Sequence, residues 1–309
     1  MIDLPDIVRR RAEQQGEPGK AWLGDLDRTV ADLATAWSLT IGPVMSGGTE
    51  ALVLEVNRSS GAPAVLKLPY PGADPTDRER RVFQAAAGRG YATLLAHDPA
   101  SRAMLLERLG PMLDSLGLAL DDQMVAICQT LRQAWTAALP TEPMMTGPEK
   151  AADLAAFIEA TWQTLDHPCP EPVIAKALAY TKTRAAAHEP ARCVLAHGDA
   201  HGWNTLADPT NPGAYKFVDP DGLIIEPAYD LAIPMREWSD DLLIGDPLER
   251  GRARCRRLAQ LTGLSEEPIW QWGYIERVST GLACLQLGLP EGPAMLAVAE
   301  AWSQADGGP

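Results

Sequence analysis

The chain has little that would cross-link it or anchor it. Its five cysteines, Cys128, Cys169, Cys193, Cys255 and Cys284, are odd in number and contain no Cys-x-x-Cys pair. Neither a disulfide framework nor a zinc site is expected, and a reducing compartment fits. No apolar run is long enough to span a bilayer. The opening Met-Ile-Asp-Leu-Pro-Asp-Ile-Val-Arg-Arg-Arg lacks the apolar core of a secretory signal. The expectation is a cytoplasmic protein with no membrane partner. Positive charge is also short: 27 Lys and Arg stand against 41 Asp and Glu, a net charge of −14. Domains that bind nucleic acid are usually basic, so that partner is not expected either. The acidic balance suits a cationic small molecule, and it equally aids solubility. No internal repeat or low-complexity tract is present.

What is present is an ordinary globular composition, 46% hydrophobic and 22% charged, over 309 residues. That length supports a large core and two lobes. Residues 1–38 have helical spacing, with Trp22, Leu26, Val30, Leu33 and Trp37 on one face. The texture changes at Leu39. Residues 38–44, 51–56 and 64–69 read as strands, with the small-residue turn Ser46-Gly47-Gly48-Thr49 between the first two. Lys67 sits in the otherwise apolar third strand, where it needs either an anionic partner or an edge position in water. A helix at residues 76–87 carries Glu79, and two further strands at 94–96 and 103–106 complete a five-stranded antiparallel sheet. Glu79 is placed to pair with Lys67 or to sit solvated in a first helical turn. A linker follows at residues 107–111. From Met112 onward the pattern is mostly helical, over residues 121–139, 147–165, 172–188, 230–243, 248–261 and 268–288. The fold class is therefore α+β, with domains at 1–38, 39–110 and 111–309.

One hairpin interrupts the helices. Residues 197–204 read His-Gly-Asp-Ala-His-Gly-Trp-Asn, after the apolar run 193–196 and before a loop with Asn211, Pro212 and Gly213 and a second apolar run at 215–218. Asn204 enters one strand and Asp219 leaves the other, so the two lie side by side. An amide oxygen beside a carboxylate, with Asp199 just upstream, suits Mg²⁺ binding and the positioning of a hydroxyl. An Asp, an Asn five residues later and then a strand ending in Asp form the core pattern of kinases with a Gly-rich loop.

The order Gly-rich turn, strand lysine, helix glutamate, linker, His-Gly-Asp…Asn and strand-Asp resembles the aminoglycoside phosphotransferases, in particular their streptomycin and hydroxyurea kinase branch. Residues 197–204, Asp219-Pro220-Asp221-Gly222 and Glu226-Pro227-Ala228-Tyr229-Asp230-Leu231 carry the likeness, together with 64–68 and 105–111. It runs from about Leu39 to Leu243. Ala200 departs from the leucine usual after the catalytic aspartate.

The resemblance implies a protein-kinase-like two-lobed fold and ATP- and Mg²⁺-dependent phosphoryl transfer to a hydroxyl, as in antibiotic resistance. Asp199 would accept or orient the hydroxyl proton. Asn204 and Asp219 would hold Mg²⁺, with Asp221 exposed or assisting. Lys67, held by Glu79, would contact the α- and β-phosphates, and Ser46, Gly47, Gly48 and Thr49 would cover them. The backbone of Glu107 and Leu109 would bond adenine. His197 reads as structural. His201 is placed either to approach the γ-phosphate or to serve as a bonded loop histidine. Asp230 serves as helix cap, catalytic-loop brace or both. Glu237, Asp240 and Asp241, on one helix over 230–243, are the candidates for a cationic acceptor, against the plainer reading of a solvated acidic face. An aminoglycoside is the leading acceptor. Hydroxyurea or an amino sugar is the alternative, and a nucleotide-binding pseudokinase is the third reading. The last is disfavoured because Lys67, Asp199, Asn204 and Asp219 are all present.

Overall fold

Alternation of buried and half-buried side chains along residues 51–69 builds a sheet. The computed structural model describes residues 2–45, 48–73 and 77–304. The chain divides into two compact units, Met1–Gly110 and Pro111–Pro309.

In the first unit, helices α1 (Asp6–Gln14) and α2 (Glu17–Ala36) precede strands β1 (Leu39–Val44), β2 (Ala51–Arg58) and β3 (Pro63–Pro69). Helix α3 (Arg78–Ala86) follows, then β4 (Leu94–Asp98) and β5 (Ala103–Glu107). The five strands form one sheet in the order β1-β2-β3-β5-β4, with antiparallel neighbours throughout. Leu52, Leu54 and Val56 of β2 and Ala64, Leu66 and Leu68 of β3 fall on one face and are buried. Val8 and Ala12 of α1 and Leu26, Val30 and Leu33 of α2 enter the same apolar cluster. The helical spacing of those side chains thus has a concrete target, the covered face of the sheet. Strand β3 lies between β2 and β5, so Lys67 is on an interior strand and the edge-strand reading does not hold.

The second unit carries α4 (Leu120–Ala134), β6 (Met145–Thr146), α5 (Gly147–Thr164), α6 (Glu171–Ala186) and β7 (Val194–Ala196). Next come β8 (Thr205–Ala207), β9 (Tyr215–Phe217), β10 (Leu223–Ile225), α7 (Ala232–Arg236) and α8 (Ser239–Leu242). Helices α9 (Pro247–Thr262), α10 (Glu266–Gln286) and α11 (Gly292–Ser303) complete it. Helix α10 is the spine: it is buried on nearly every face from Ile269 to Cys284, as a helix apolar all round must be. Trp270 of α10 stacks on Trp302 of α11 at 4.7 Å between ring centroids. Truncating an aromatic packed this way typically costs about 3–5 kcal/mol. No described helix is long and apolar enough to cross a membrane, and all five cysteines are free thiols.

Three features differ from the sequence reading. Strand β7 pairs with β10, which also pairs with β6, in a small sheet that the three-residue strands did not announce. Helix α11 lies beyond the last motif. The single helix expected over 230–243 is broken into α7 and α8, and a 3₁₀ turn (Pro227–Tyr229) precedes them. The break falls at Trp238, which takes left-handed φ 54°. Carbonyls freed there are taken by two buried arginines. Arg254 donates to the Glu237 carbonyl at 2.6 Å, and Arg277 donates to the Met235 and Arg236 carbonyls at 2.6 and 2.7 Å. Side-chain donors remote in sequence thus satisfy what a continuing helix would have satisfied.

Candidate active site

Two places gather the residues singled out above, one in each unit. In the first unit, Lys67 Nζ lies 2.7 Å from Glu79 Oε1, with both side chains largely covered. Pairing with carboxylate is what allows an ammonium in an apolar strand. Gly48 and Thr49 sit in the β1–β2 turn; Ser46 and Gly47 lie outside the described residues. Leu109 is buried. Glu107 is tied to Thr93. Its N–H donates to the Thr93 carbonyl at 3.0 Å, and its carboxylate accepts from the Thr93 N–H and hydroxyl at 2.7 and 2.8 Å. That N–H is committed within the sheet.

In the second unit, the segment 197–204 is held from below by Asp230. Its carboxylate, wholly buried, accepts from the N–H groups of His197 and Gly198 at 3.1 and 2.8 Å and from the Trp135 indole at 2.8 Å. Burial pushes the Asp230 pKa up, and these donors pull against it. Asp230 is therefore a brace. Gly198 is required here: its φ is +90°, and a Cβ would stand 2.7 Å from the Cβ of Asp221. His197 is buried. Its Nδ1 accepts the Asp199 N–H at 3.0 Å, which places the ring proton on Nε2, facing the Val218 carbonyl at 3.0 Å. Burial lowers its pKa, so it is a neutral strut between the loop and the hairpin.

Strands β8 and β9 pair with Thr205 opposite Phe217, and the Val218 N–H donates to the Asn204 carbonyl at 3.0 Å. In this register Asn204 stands opposite Val218, and Asp219 follows one residue later, past the end of the ladder. Asn204 Nδ2 donates to the Asp199 carbonyl at 3.1 Å, which leaves its amide oxygen as the donor atom for a cation. Asp219 holds left-handed φ 59°, a conformation Asp tolerates and one that collects at functional turns.

Asp199 is gripped on both oxygens. His201 Nε2 is 3.1 Å from Oδ2, and Arg236 Nη2 donates to Oδ1 at 3.0 Å. His201 Nδ1 accepts the Trp203 N–H at 3.2 Å, which fixes the tautomer that donates to Asp199. His201 is thus hydrogen-bonded within the loop. Burial opposes ionisation of Asp199, but the His201 hydrogen bond, the charges of Arg236 and His201 and nearby His197 outweigh it, and the carboxyl lies well below the usual range. Burial likewise opposes charging of His201, and Asp199 raises its pKa regardless.

Asp199 opens onto a cavity of about 300 Å³ whose walls include Lys150, Asp221, Tyr229, Arg236, Glu276 and Thr280. Tyr229 donates to Glu276 at 2.6 Å. The remaining acid of the 226–231 motif, Glu226, accepts from Arg184 at 3.2 Å and from the Trp272 indole at 2.8 Å. Each polar member of that motif thus has a structural task.

The expectation for Glu237, Asp240 and Asp241 is corrected. They do not form one helical face, because α7 ends before Glu237 and Trp238 turns the chain. Asp241 is bound by Arg250 at 2.5 Å and Arg254 at 3.0 Å. Asp240 is exposed, and Glu237 turns back onto Arg236 at 3.1 Å. Of the residues that line the cavity, Asp199 and Asp221 were named from sequence, whereas Arg236 and Glu276 escaped it. A signal existed: Glu276-Arg277 is a charged pair inside the apolar stretch 269–287, the same anomaly that marked Lys67.

Residues 36–287 match the family described as aminoglycoside/hydroxyurea antibiotic resistance kinase. A streptomycin 6-kinase of Streptomyces glaucescens is 29% identical over 288 residues, covering 89% of this chain and 88% of the relative. A hydroxyurea phosphotransferase of Kitasatospora aureofaciens is 30% identical over 275 residues, covering 84% and 78%. Among solved structures, a choline kinase from Streptococcus pneumoniae superposes with a TM-score of 0.62 at 13% identity, over 91% of this chain and 99% of that one, and shows the shared protein-kinase-like fold. With the family match spanning the sheet, the 197–204 loop and α10, the chain belongs to the aminoglycoside/hydroxyurea antibiotic resistance kinases: it is a small-molecule antibiotic kinase that transfers phosphate to a hydroxyl.

Proposed function

We propose that the protein uses Mg·ATP to phosphorylate a hydroxyl of a cationic, streptomycin-like aminoglycoside bound in the cavity beside Asp199. The observation that carries this reading is the cavity itself. It is reached by the Asp199 carboxylate, and its walls carry Asp221 and Glu276, acids suited to ammonium or guanidinium groups, together with the cations Lys150 and Arg236. The acceptor oxygen bonds to the γ-phosphorus as the bond from that phosphorus to the β–γ bridging oxygen breaks. ADP departs, and the hydroxyl proton passes to Asp199. A carboxylate of such low basicity orients the hydroxyl and takes its proton late, which suits a loose transition state.

Asn204 and Asp219 are the residues we assign to magnesium. Both offer hard oxygen donors, and no cluster of three or more His, Cys, Asp or Glu able to hold a metal occurs among the described residues. Two protein ligands supplemented by phosphate oxygens and water are the usual Mg²⁺ arrangement. When bound, the ion neutralises charge on the phosphates. Lys67, steadied by Glu79, is assigned to the nucleotide phosphates in the first unit. A compartment that holds ATP and keeps thiols reduced, the cytoplasm, suits this chemistry.

A second acceptor, hydroxyurea, is favoured by the 30% identity to a hydroxyurea phosphotransferase. A coupled ADP-release screen over aminoglycosides, hydroxyurea and amino sugars, with mass spectrometry of the product, separates the two. A phosphorylated aminoglycoside supports the first reading; turnover of hydroxyurea alone replaces it with the second.

A further inference from the structure

We infer that Arg236 is a positioning residue for phosphoryl transfer, fixing the Asp199 carboxylate toward the acceptor cavity while Glu237 and Glu276 fix Arg236. The inference rests on the assignment of Asp199 as the group that takes the acceptor's proton.

The guanidinium is shared among three acids. Nη2 reaches Asp199 at 3.0 Å, Nε reaches Glu237 at 3.1 Å, and Nη1 lies 3.8 Å from Glu276. Nη1 is also 3.4 Å from the Thr280 hydroxyl. The side chain is only 12% exposed, against 34% for Asp199. Arg236 is therefore the more covered of the two, although both line the cavity. A planar fork with fixed donor directions can hold separate acids at once, whereas an ammonium is a point charge without that geometry.

The scaffold behind Arg236 is fixed in turn. Its own carbonyl accepts from the buried Arg277 at 2.7 Å. Gly273 of α10 lets α7 approach closely, because a Cβ there would stand 2.6 Å from the Met235 Cβ. Glu276 is oriented by the Tyr229 hydroxyl. A chain of contacts thus runs from the α10 spine through Arg236 to one oxygen of Asp199. His201 holds the other oxygen from the loop side, so the carboxylate plane is set from two directions. Loss of one hold lets it rotate, and a misplacement near 1 Å costs roughly 10²-fold in rate.

The test compares Arg236→Ala, Arg236→Lys and Asp199→Asn in the full chain with the acceptor found by the screen. In Arg236→Ala, kcat is expected to fall about 10²-fold while KM for ATP stays within about twofold of wild type. Arg236→Lys is expected to lie in between. Millimolar guanidinium chloride should restore kcat of the alanine variant several-fold and leave the wild type unimproved, with urea at the same concentration as the control. Wild-type kcat in Arg236→Ala overturns the inference. So does a loss that tracks a lowered melting temperature and is not rescued by guanidinium, since that marks a merely structural arginine. A raised ATP KM with normal kcat also overturns it, since that marks a nucleotide contact. Wild-type-like turnover by Asp199→Asn overturns the underlying assignment instead, so the two failures are distinguishable.

Discussion

The Lys67–Glu79 pair and the cluster around Asp199 are both ion-paired, but they are built differently. Lys67 and Glu79 are 12 residues apart, one on a strand and one on the next helix. Asp199 and Arg236 are 37 residues apart, and Glu276 joins them from a third element. The first arrangement follows once the strand and helix periods are recognised. The second depends on how three elements converge, and convergence has no local pattern. A pair made by neighbouring elements steadies one cation. A cluster made by three elements fixes one carboxylate in space, as chemistry at that carboxylate requires.

The largest effect is expected where the cluster meets the acceptor. Asp199→Asn should reduce kcat about 10²–10⁴-fold, the range for loss of a positioned proton acceptor. Nucleotide affinity should be nearly unchanged, because the amide keeps the shape of the carboxylate. Steady-state turnover with a separate nucleotide titration checks both halves. Turnover like wild type would remove Asp199 from the mechanism.

The next test separates the acid assigned to magnesium from its neighbour two residues on. Asp219 follows the residue that faces Asn204 in the hairpin, whereas Asp221 lines the cavity. Asp219→Ala should abolish the Mg²⁺-dependent part of nucleotide binding. Mutation of groups that merely support metal ligands costs about 10–100-fold in metal affinity, and a direct ligand should cost at least as much. Asp221→Ala should leave that binding alone and raise the acceptor KM about tenfold, as expected for loss of one charged hydrogen bond. Nucleotide titrations with and without Mg²⁺ decide it; the reverse ranking would exchange the two roles.

What was legible from sequence follows the same division. The five-stranded sheet was readable because alternation within β2 and β3 is local, and Lys67 stood out as a charge in an apolar strand. His197, Asp199, Asn204 and Asp219 were readable as a hairpin motif because the turn chemistry lies within the same stretch. Arg236 was passed over beside three acids that drew attention as a helical face. That face does not exist, because Arg254 and Arg277 stabilise a break at Trp238 from residues far along the chain. Propensity within 230–243 contains no trace of those donors. Strands β6, β7 and β10 were missed for a related reason: two or three residues give no period to detect.

A milder effect is expected at the neighbouring-element pair. Glu79→Gln keeps a hydrogen-bonding side chain beside Lys67 and removes its charge. Nucleotide KM should rise about tenfold, consistent with roughly 1.5–3 kcal/mol for a charged hydrogen bond, partly retained. Acceptor KM should not change. If acceptor KM moves instead, the division between the two places is wrong.

The smallest effect is expected at Asp241, one of the three acids named from sequence as candidates for a cationic acceptor. Its carboxylate already engages Arg250 and Arg254, and it does not line the cavity beside Asp199. An acid satisfied by two arginines has little field left for a ligand, whatever its formal charge. Asp241 is 35% exposed, so solvent screening limits the contribution of these pairs to stability to about 1 kcal/mol or less. Asp241→Asn should therefore keep the wild-type acceptor KM at both low and high ionic strength. Asp221→Ala should flatten the salt dependence that capture of a cation by the cavity produces. Acceptor KM measured across a salt series for both variants makes the comparison. A salt-sensitive rise in KM for Asp241→Asn, with none for Asp221→Ala, would move the acceptor site from the Asp199 cavity to the α8–α9 surface.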